Sequence, residues 1–211
     1  MKVNEIFYSI EGEGKRAGMP CVFIRLFGCN LSCSYCDSQY ACAGNDYKEM
    51  SIEEIMSEVR KYDCPCVTVT GGEPLIHSDI KELLRTLDYE DYYVNVETNG
   101  TKLPFGFKNV FYTIDFKTKS SGMSDKMNLD AFKEIVPTDV LKFVVGSKED
   151  LDQAYNFVMD NRIICNIFVS PIFGKIEPSE IVEYLKEHHL NHWRIQLQLH
   201  KYIWEPQKRG V

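Results

Sequence analysis

Apolar, β-branched runs alternate with segments of helical periodicity along the chain. The runs predict seven strands, at 21–27, 66–70, 93–97, 110–115, 140–145, 163–169 and 193–197. Helices are predicted between them, at about 51–62, 80–87, 128–135, 151–161 and 179–189. Strands that are apolar throughout and alternate with helices indicate a mostly parallel sheet. Because 211 residues fall short of the roughly 250 of a closed eight-unit barrel, we expect one domain over 1–211, folded as an open, partial β/α barrel.

Polar and glycine-rich segments follow the C-terminal ends of the predicted strands. In parallel α/β folds these ends meet at one edge of the sheet, and that edge holds the active site. We therefore expect the active site among the strand ends. The segments are 28–29, 71–74, 97–100, 115–117, 170–171 and 198–200.

Charge and composition narrow the class of ligand. A net charge of −7 and a pI near 5.3 argue against nucleic acid as a partner, because phosphate binding needs a basic surface. The sequence does not open with a basic segment and an apolar run, and no stretch approaches the roughly 20 apolar residues that span a bilayer. We therefore expect a cytoplasmic protein that binds small molecules, with no nucleic-acid or membrane partner.

Three of the eight cysteines, Cys29, Cys33 and Cys36, share one short loop after the first predicted strand. In a cytoplasmic chain such a group favours metal ligation over disulfides, and thiolates suit an iron-sulfur cluster or zinc. A [4Fe-4S] cluster held by three cysteines leaves one iron open, where the amino and carboxylate groups of S-adenosylmethionine (SAM) can chelate. Cys42 adds a fourth thiol nearby, so a structural zinc site remains the alternative.

Two features on the N-terminal side indicate a polar ligand. Arg25 lies inside an apolar predicted strand, where an unpaired guanidinium is costly. A substrate carboxylate would satisfy it, and an internal pair with Asp or Glu is the equal alternative. In the Gly-Glu-Gly segment at 12–14, the Glu13 carboxylate can accept two N–H bonds from a guanine-like edge. An ordinary acidic turn is the alternative for this segment.

Two motifs resemble those of the radical SAM superfamily. One is Cys-x3-Cys-x2-Cys with Tyr35 before the last cysteine, and the other is Thr-Gly-Gly-Glu-Pro at 70–74, similar to the superfamily segment that binds the methionine amino group. Within the superfamily, the chain resembles the 7-carboxy-7-deazaguanine synthase family from end to end. The further shared features are Gly-Glu-Gly at 12–14, Arg25, Asp37 with Ser38, and the ending Gln-x-His-x3-Trp with Lys-Arg-Gly-Val.

This resemblance implies an enzyme of deazapurine (queuosine and related) biosynthesis that converts 6-carboxy-5,6,7,8-tetrahydropterin to 7-carboxy-7-deazaguanine. A radical derived from SAM takes hydrogen from C6, the ring contracts with loss of ammonia, and SAM is regenerated. No side chain is implied as catalytic, because that radical performs the chemistry. Mg2+, a flavodoxin or ferredoxin as electron donor, and a homodimer are also implied.

The resemblance assigns roles to residues that match the family's motifs. The [4Fe-4S] cluster is assigned to Cys29, Cys33 and Cys36, and Mg2+ to Ser38. Substrate contacts are assigned to Ile10, Glu11, Gly12, Glu13, Arg25, Thr70, His200 and Val211, the last through a terminal carboxylate. SAM contacts are assigned to Tyr35, Cys36, Asp37, Gly72, Glu97, Asp115, Phe116, Lys117 and Ser170. A tail of about residues 198–211 is implied to close the site.

Two departures from the family's pattern affect these expectations. Glu11 stands where the family often has Gln, and Asp-Phe-Lys at 115–117 replaces a frequent Ser-Pro-Lys. Glu11 can still contact the pterin through its backbone, but a second carboxylate beside Glu13 is expected to raise the pKa of one of the two by repulsion. The hydrogen-bond pattern to the pterin is therefore left open. For Glu97, a solvated carboxylate at a strand end is the alternative to a ribose contact.

Other interpretations remain open from the sequence. A glycyl-radical activase of the same superfamily would need an open groove for a peptide, and a zinc-stabilised binding module would perform no chemistry. The histidines at 188, 189 and 192 follow a predicted helix, where a partly charged imidazole is favoured by the helix dipole, so we do not interpret them as a metal triad.

Overall fold

The computed structural model describes residues 1–206 and 208–211, and within them nine strands form one sheet. The strands are β1 (Lys2–Ile10), β2 (Pro20–Leu26), β3 (Lys48–Glu49), β4 (Cys66–Gly71), β5 (Tyr93–Thr98), β6 (Val110–Phe116), β7 (Val140–Val145), β8 (Asn166–Pro171) and β9 (Trp193–Ile195). The α-helices are α1 (Ile52–Arg60), α2 (Ile80–Tyr89), α3 (Leu129–Lys133), α4 (Lys148–Asn161), α5 (Pro178–Glu187) and α6 (His200–Ile203).

The strand order across the sheet is β3-β1-β2-β4-β5-β6-β7-β8-β9. β1 pairs antiparallel with β2 and β3, and each neighbouring pair from β2 to β9 is parallel. The two edge strands, β3 and β9, do not pair with each other in the described part of the chain. The predicted open, partial β/α barrel with a mostly parallel sheet is therefore confirmed.

All seven predicted strands are present, with β8 starting three residues later than expected and β9 ending two residues earlier. β1 and β3 were not predicted. β1 mixes polar and apolar residues, and most of it is only partly buried, so it lacks the apolar run that marks the central strands. α1 begins at the expected capping box, in which Glu54 N–H donates to Ser51 Oγ at 3.2 Å and Ser51 N–H donates to Glu54 Oε2 at 2.7 Å.

The central strands have two different faces. On one face Val67 and Val69 pack in the apolar core together with Leu83, Leu84 and Leu87 of α2. Because side chains alternate along a strand, the opposite face carries a second set of residues, and in β4 to β8 many of these are polar. They are Thr68, Thr70, Asn95, Glu97, Thr113, Asp115, Lys142 and Ser170. The strands are thus not apolar throughout, and their polar face lines the interior of the partial barrel.

No helix in the described residues is long and apolar enough to cross a membrane.

Candidate active site

A cavity of about 150 Å³ lies among residues of β1, β2 and the tail, and we name it the small cavity. The structure brings together around it all eight residues for which the sequence predicts a substrate contact. They are Ile10, Glu11, Gly12, Glu13, Arg25, Thr70, His200 and Val211.

The tail packs directly against the Gly-Glu-Gly segment. Leu199 N–H donates to the carbonyl oxygen of Gly12 at 2.9 Å. A Cβ atom at Gly12 would lie 2.4 Å from Nδ1 of His200, so only glycine permits this close approach. Burial lowers the pKa of His200 below its usual value, and its ring is therefore mainly neutral at pH 7.

Arg25 reaches the small cavity from β2 and is paired with an acidic residue of the neighbouring strand. Its Nε donates to Glu5 Oε1 at 2.8 Å, and the Tyr40 hydroxyl donates to the same oxygen at 3.2 Å. The internal ion pair, which the sequence left open as an alternative, is therefore present. Arg25 also lines the small cavity, so pairing with Glu5 does not exclude binding of a substrate carboxylate.

Glu11 does not repel Glu13 as an uncompensated charge. The Glu11 carboxylate accepts hydrogen bonds from Arg16 Nε at 2.9 Å and from Thr68 Oγ1 at 2.8 Å, with all three residues buried. Glu13 Oε1 lies 2.5 Å from Lys142 Nζ. Each of the two carboxylates therefore has its own cation, which offsets the expected repulsion between them.

The backbone of Glu11 is also engaged. Its N–H donates to Met19 O and its carbonyl accepts from Gly18 N–H, both at 2.8 Å. For the expected backbone contact of Glu11 with the substrate, only the second lone pair of its carbonyl oxygen remains as an acceptor. Glu11 forms part of the wall of the small cavity, with its side chain committed to Arg16.

Lys142 is a site residue that the sequence analysis missed. Burial opposes its charge, but the carboxylates of Glu13, Asp115 and Glu97 outweigh burial and raise its pKa. The second carboxylate oxygen of Glu13, Oε2, is buried and has no hydrogen-bond partner among the described residues. Arg25 was singled out because it is a lone cation in the apolar run of β2. The same signal in β7 could have identified Lys142.

A second cavity, of about 1050 Å³, adjoins the first, and we name it the large cavity. It is lined by all four residues assigned to metal binding, Cys29, Cys33, Cys36 and Ser38. It is also lined by the residues assigned to SAM other than Phe116, namely Tyr35, Cys36, Asp37, Gly72, Glu97, Asp115, Lys117 and Ser170. The two cavities share wall residues, which include Glu13, Asp37, Ser38, Tyr40, Thr70, Glu97, Gln198 and Lys201.

The cysteine loop is held closely against its neighbours. Ser34 Oγ donates to the carbonyl oxygen of Ser120 at 2.7 Å. A Cβ atom at Gly72 would lie 2.2 Å from Gly28 O and 2.9 Å from Cys29 Cβ. Glycine at this position therefore allows the segment after β4 to touch the start of the cysteine loop.

Two of the three loop thiols, Cys29 and Cys36, favour the thiolate form that ligates a cluster, whereas burial raises the pKa of Cys33. A hydrogen bond from Cys42 lowers the pKa of Cys29 to about 6 and that of Cys36 to about 7, against the effect of burial, and favours the thiolates that ligate metals. In residues 1–206 and 208–211, no three His, Cys, Asp or Glu side chains are grouped around a single metal position. A cubane binds its thiolates on three separate irons, so it does not need such convergence.

Several polar atoms in the large cavity are buried without a hydrogen-bond partner in the described part of the chain. They are the Tyr35 hydroxyl, Asp115 Oδ1 and Ser170 Oγ. The other oxygen of Asp115 pairs with Lys117 Nζ at 2.9 Å. Because buried polar groups normally have partners, these atoms indicate that a polar ligand occupies the cavity.

Glu97 lies on the shared wall and accepts a hydrogen bond from Thr70 Oγ1 at 2.7 Å. Burial first, and then the charges of Glu13 and Glu11, raise the pKa of Glu97 to about 7. Glu97 is partly exposed on the cavity wall, so the ribose contact and the solvated strand-end carboxylate both stay predictions.

The expected SAM contact by the Phe116 side chain is wrong. Its ring packs against those of Phe132, Phe143 and Phe157, at centroid distances of 5.4, 5.5 and 4.3 Å. Side-chain alternation in β6 turns Asp115 towards the large cavity and Phe116 towards the helices.

Asp37 and Ser38 lie together on the shared wall. Ser38 Oγ donates to Asp37 Oδ1 at 3.1 Å and makes no side-chain cap bond to the 3-10 turn Gln39–Ala41, at whose N-cap position it lies. Asp37 Oδ2 accepts from Gln198 at 3.3 Å and from Lys201 at 3.2 Å, which ties the tail to the cysteine loop. Enclosure opposes ionisation of Asp37, but the Lys201 charge outweighs it and holds the pKa at about 2. A hydroxyl beside an ionised carboxylate is an oxygen donor set that suits Mg2+.

One of the three histidines after α5, His188, has a packing role. The His188 ring stacks on Tyr184 at a centroid distance of 4.1 Å and contacts Tyr155 at 5.4 Å. His188 is the C-terminal cap of α5, in agreement with the interpretation from the sequence.

Comparison with known proteins agrees with this geometry. Residues 23–110, which include the cysteine loop and the glycine segment at 71–72, match the model of the Radical SAM superfamily. The chain is therefore a radical SAM enzyme, a class that uses a [4Fe-4S] cluster and SAM.

Its relatives define the family more narrowly. The chain is 42% identical to a 7-carboxy-7-deazaguanine synthase of Clostridium acetobutylicum, with 100% of this chain and 99% of the relative covered. It is 40% identical to one of Chlorobaculum tepidum, with 100% and 97% covered. The crystal structure of QueE from Escherichia coli shares the fold, with a TM-score of 0.77 at 22% identity over 93% of each chain. The chain belongs to the 7-carboxy-7-deazaguanine synthase family, which confirms the resemblance and sets aside the activase and the zinc module.

Proposed function

We propose that the protein converts 6-carboxy-5,6,7,8-tetrahydropterin to 7-carboxy-7-deazaguanine by ring contraction with loss of ammonia, for queuosine or a related deazapurine. The observation that supports this most is the shared wall of the two cavities. A small cavity with acidic and basic groups suits a pterin acid, and the adjoining large cavity has the thiols for a cluster and unsatisfied polar atoms for SAM. The reacting carbon of the substrate and the radical would meet across that wall.

In this proposal Cys29, Cys33 and Cys36 hold the cluster and leave one iron for SAM. When bound, the cluster supplies the electron that splits SAM to a 5′-deoxyadenosyl radical able to take hydrogen from C6 of the substrate. Gly72 lets the backbone approach the methionine end of SAM closely, and Tyr35, Asp115 and Ser170 satisfy its polar groups. The remaining proposed SAM contacts are Asp37, Glu97 and Lys117.

The substrate is recognised at its two polar ends. Glu13 Oε2 accepts N–H bonds from the pterin, because Lys142 holds the other oxygen of that carboxylate. Arg25 binds the substrate carboxylate through its Nη nitrogens, because Glu5 holds Nε. The remaining proposed substrate contacts are Ile10, the wall at Glu11 and Gly12, Thr70, His200 and the Val211 carboxylate.

Ser38 is the proposed protein ligand of Mg2+, with Asp37 beside it. Magnesium keeps several waters and is bound by few protein groups, so a single hydroxyl on the shared wall is sufficient when the substrate carboxylate adds a ligand. The tail, from about residue 198 onward, closes the site through Lys201 and His200. A flavodoxin or ferredoxin as electron donor, a homodimer and a cytoplasmic location complete the proposal.

Turnover by anaerobically purified, cluster-loaded protein tests the proposal. With a reductant, SAM, Mg2+ and 6-carboxy-5,6,7,8-tetrahydropterin, we expect 7-carboxy-7-deazaguanine as the product. Arg25→Met should remove most of this turnover, whereas Arg60→Met, at an exposed arginine of α1, should retain it. SAM cleavage without the deazapurine product would contradict the proposed substrate.

A further inference from the structure

Cys42 is the fourth thiol of the large cavity, and the proposed function leaves it without a role. Its Sγ lies 3.9 Å from Cys36 Sγ. The position is fixed by the 3-10 turn Gln39–Ala41, because Cys42 N–H donates to Gln39 O at 3.0 Å and Gly28 N–H donates to Ala41 O at 2.8 Å. The thiol is therefore held beside a proposed cluster ligand by the backbone.

The Cys42 thiol has one proton and three nearby acceptors. One is the carbonyl oxygen of Ser38, 3.4 Å from Sγ, which already accepts a hydrogen bond from Ala41 N–H at 2.9 Å. The other two are proposed ligand sulfurs, Cys36 Sγ at 3.9 Å and the thiol of Cys29, whose pKa Cys42 also lowers. When they ligate iron these cysteines are thiolates, and an ionised acceptor forms the stronger bond. The proton of Cys42 is then directed at a ligand sulfur, and the contact with Cys36 Sγ is the one that the geometry gives.

We propose that Cys42 is a positioning residue that donates an S–H hydrogen bond to the Cys36 thiolate and thereby raises the reduction potential of the cluster. Reduction adds a negative charge to the cluster and its thiolates, so a donor on a ligand sulfur stabilises the reduced form more than the oxidised form. Cys42 is not a ligand in this account, because the fourth iron is needed by SAM. The inference rests on the cluster ligation proposed above.

The midpoint potential of the cluster tests this role without any use of turnover. Wild type, Cys42→Ala, Cys42→Ser and Cys165→Ala would be reconstituted anaerobically without SAM and titrated, with the reduced cluster followed by electron paramagnetic resonance. Iron and sulfide would be measured in each sample. Cys165 is the matched control, because its thiol donates to Asn166 O and does not line the large cavity.

We expect all four proteins to hold iron and sulfide at about four each per chain, as the cluster formula requires. The midpoint potential of Cys42→Ala should shift to a more negative value than wild type, beyond the repeat error of the titration. Cys42→Ser keeps a donor and should recover part of the shift, and Cys165→Ala should match wild type. An unchanged potential in Cys42→Ala would overturn the proposal. Loss of iron from Cys42→Ala alone would also overturn it by making Cys42 a ligand, whereas absence of iron from wild type would instead contradict the proposed function.

Discussion

The small and large cavities differ in how their polar groups are satisfied. Three ion pairs border the small cavity: Glu5 with Arg25, Glu11 with Arg16, and Glu13 with Lys142, a residue that itself lines the large cavity. Of these carboxylates, Glu13 keeps one oxygen, Oε2, without a partner among the described residues. In the large cavity Asp115 pairs with Lys117 through one oxygen, but three polar atoms have no partner in the described part of the chain: the Tyr35 hydroxyl, Asp115 Oδ1 and Ser170 Oγ. The paired charges fix the shape of the small cavity before a ligand arrives, whereas the atoms of the large cavity depend on a ligand to satisfy them.

The comparison predicts different responses to mutation. A paired residue holds its partner, so its removal leaves a buried charge and affects both the fold and the binding of substrate. An unpaired buried polar atom does not stabilise the ligand-free protein, so its removal mainly weakens binding of the ligand that would satisfy it.

Deletion of Gly210 and Val211 should give the largest effect. These residues line the small cavity, and Val211 is proposed to contact the substrate through its carboxylate. We expect turnover of the tetrahydropterin to be abolished while iron content and SAM binding stay at wild-type values, because neither residue lines the large cavity. Product analysis and iron determination on the same preparation measure this. Unchanged turnover would remove the proposed role of the Val211 carboxylate.

Lys142→Met should break the ion pair with Glu13, which lies on the wall shared by the two cavities. The change leaves the Glu13 carboxylate without its cation, and removal of one partner of a buried pair costs about 3 kcal/mol of stability. Because Glu13 Oε2 is a proposed acceptor for the pterin, we also expect a higher KM for the tetrahydropterin. Lys133→Met, which removes an exposed pair with Asp130, is the matched control and should leave KM and stability nearly unchanged. A weaker affinity for SAM with an unchanged KM for the pterin would assign Lys142, which lines the large cavity, to SAM instead of the substrate.

Glu97→Gln tests the shared wall through pH. Because the pKa of Glu97 is raised to about 7 in the folded protein, the carboxyl is protonated there while it ionises at about pH 4.5 in the unfolded chain. The stability that Glu97 contributes is therefore present at low pH and lost as the pH rises to about 7. We expect the free energy of unfolding of SAM-free wild type, relative to Glu97→Gln, to fall by on the order of 2 kcal/mol between pH 5 and 7 and to stay level above. If the free energies of unfolding of wild type and Glu97→Gln changed in parallel with pH, this prediction would be contradicted.

Ser170→Ala should give the smallest effect and the cleanest distinction between partnered and unpartnered groups. Its hydroxyl is buried without a partner, so stability should stay within about 0.5 kcal/mol of wild type while the Kd for SAM rises roughly fivefold, for one lost hydrogen bond. Thr113→Ala removes a hydroxyl that donates to Asn95 Oδ1 at 3.0 Å and should cost about 1 kcal/mol of stability. Equal losses of stability in Ser170→Ala and Thr113→Ala would contradict the difference between unpartnered and partnered hydroxyls.

Features that depend on local sequence were predicted well. The cysteine loop and the glycine segment follow strand ends, and parallel topology is enough to bring strand ends together. The partners of the buried charges were not predicted, because they depend on how distant segments fold together: Glu13, in the loop after β1, and Lys142 are 129 positions apart. The SAM contact predicted for the Phe116 side chain was wrong. Alternation of side chains within β6 already implied that Asp115 and Phe116 lie on opposite faces of the sheet.

The most direct test of the central claim follows the hydrogen at C6. Reduced, cluster-loaded protein would be incubated with SAM, Mg2+ and 6-carboxy-5,6,7,8-tetrahydropterin deuterated at C6, and both the products and the recovered SAM would be examined by mass spectrometry. We predict that 7-carboxy-7-deazaguanine forms and that deuterium appears in the recovered SAM. Deuterium taken from C6 would become one of three equivalent hydrogens of a methyl group on the SAM side, and return of one of the other two would leave it there when SAM is regenerated. Consumption of SAM with neither the deazapurine nor deuterium transfer would contradict the account.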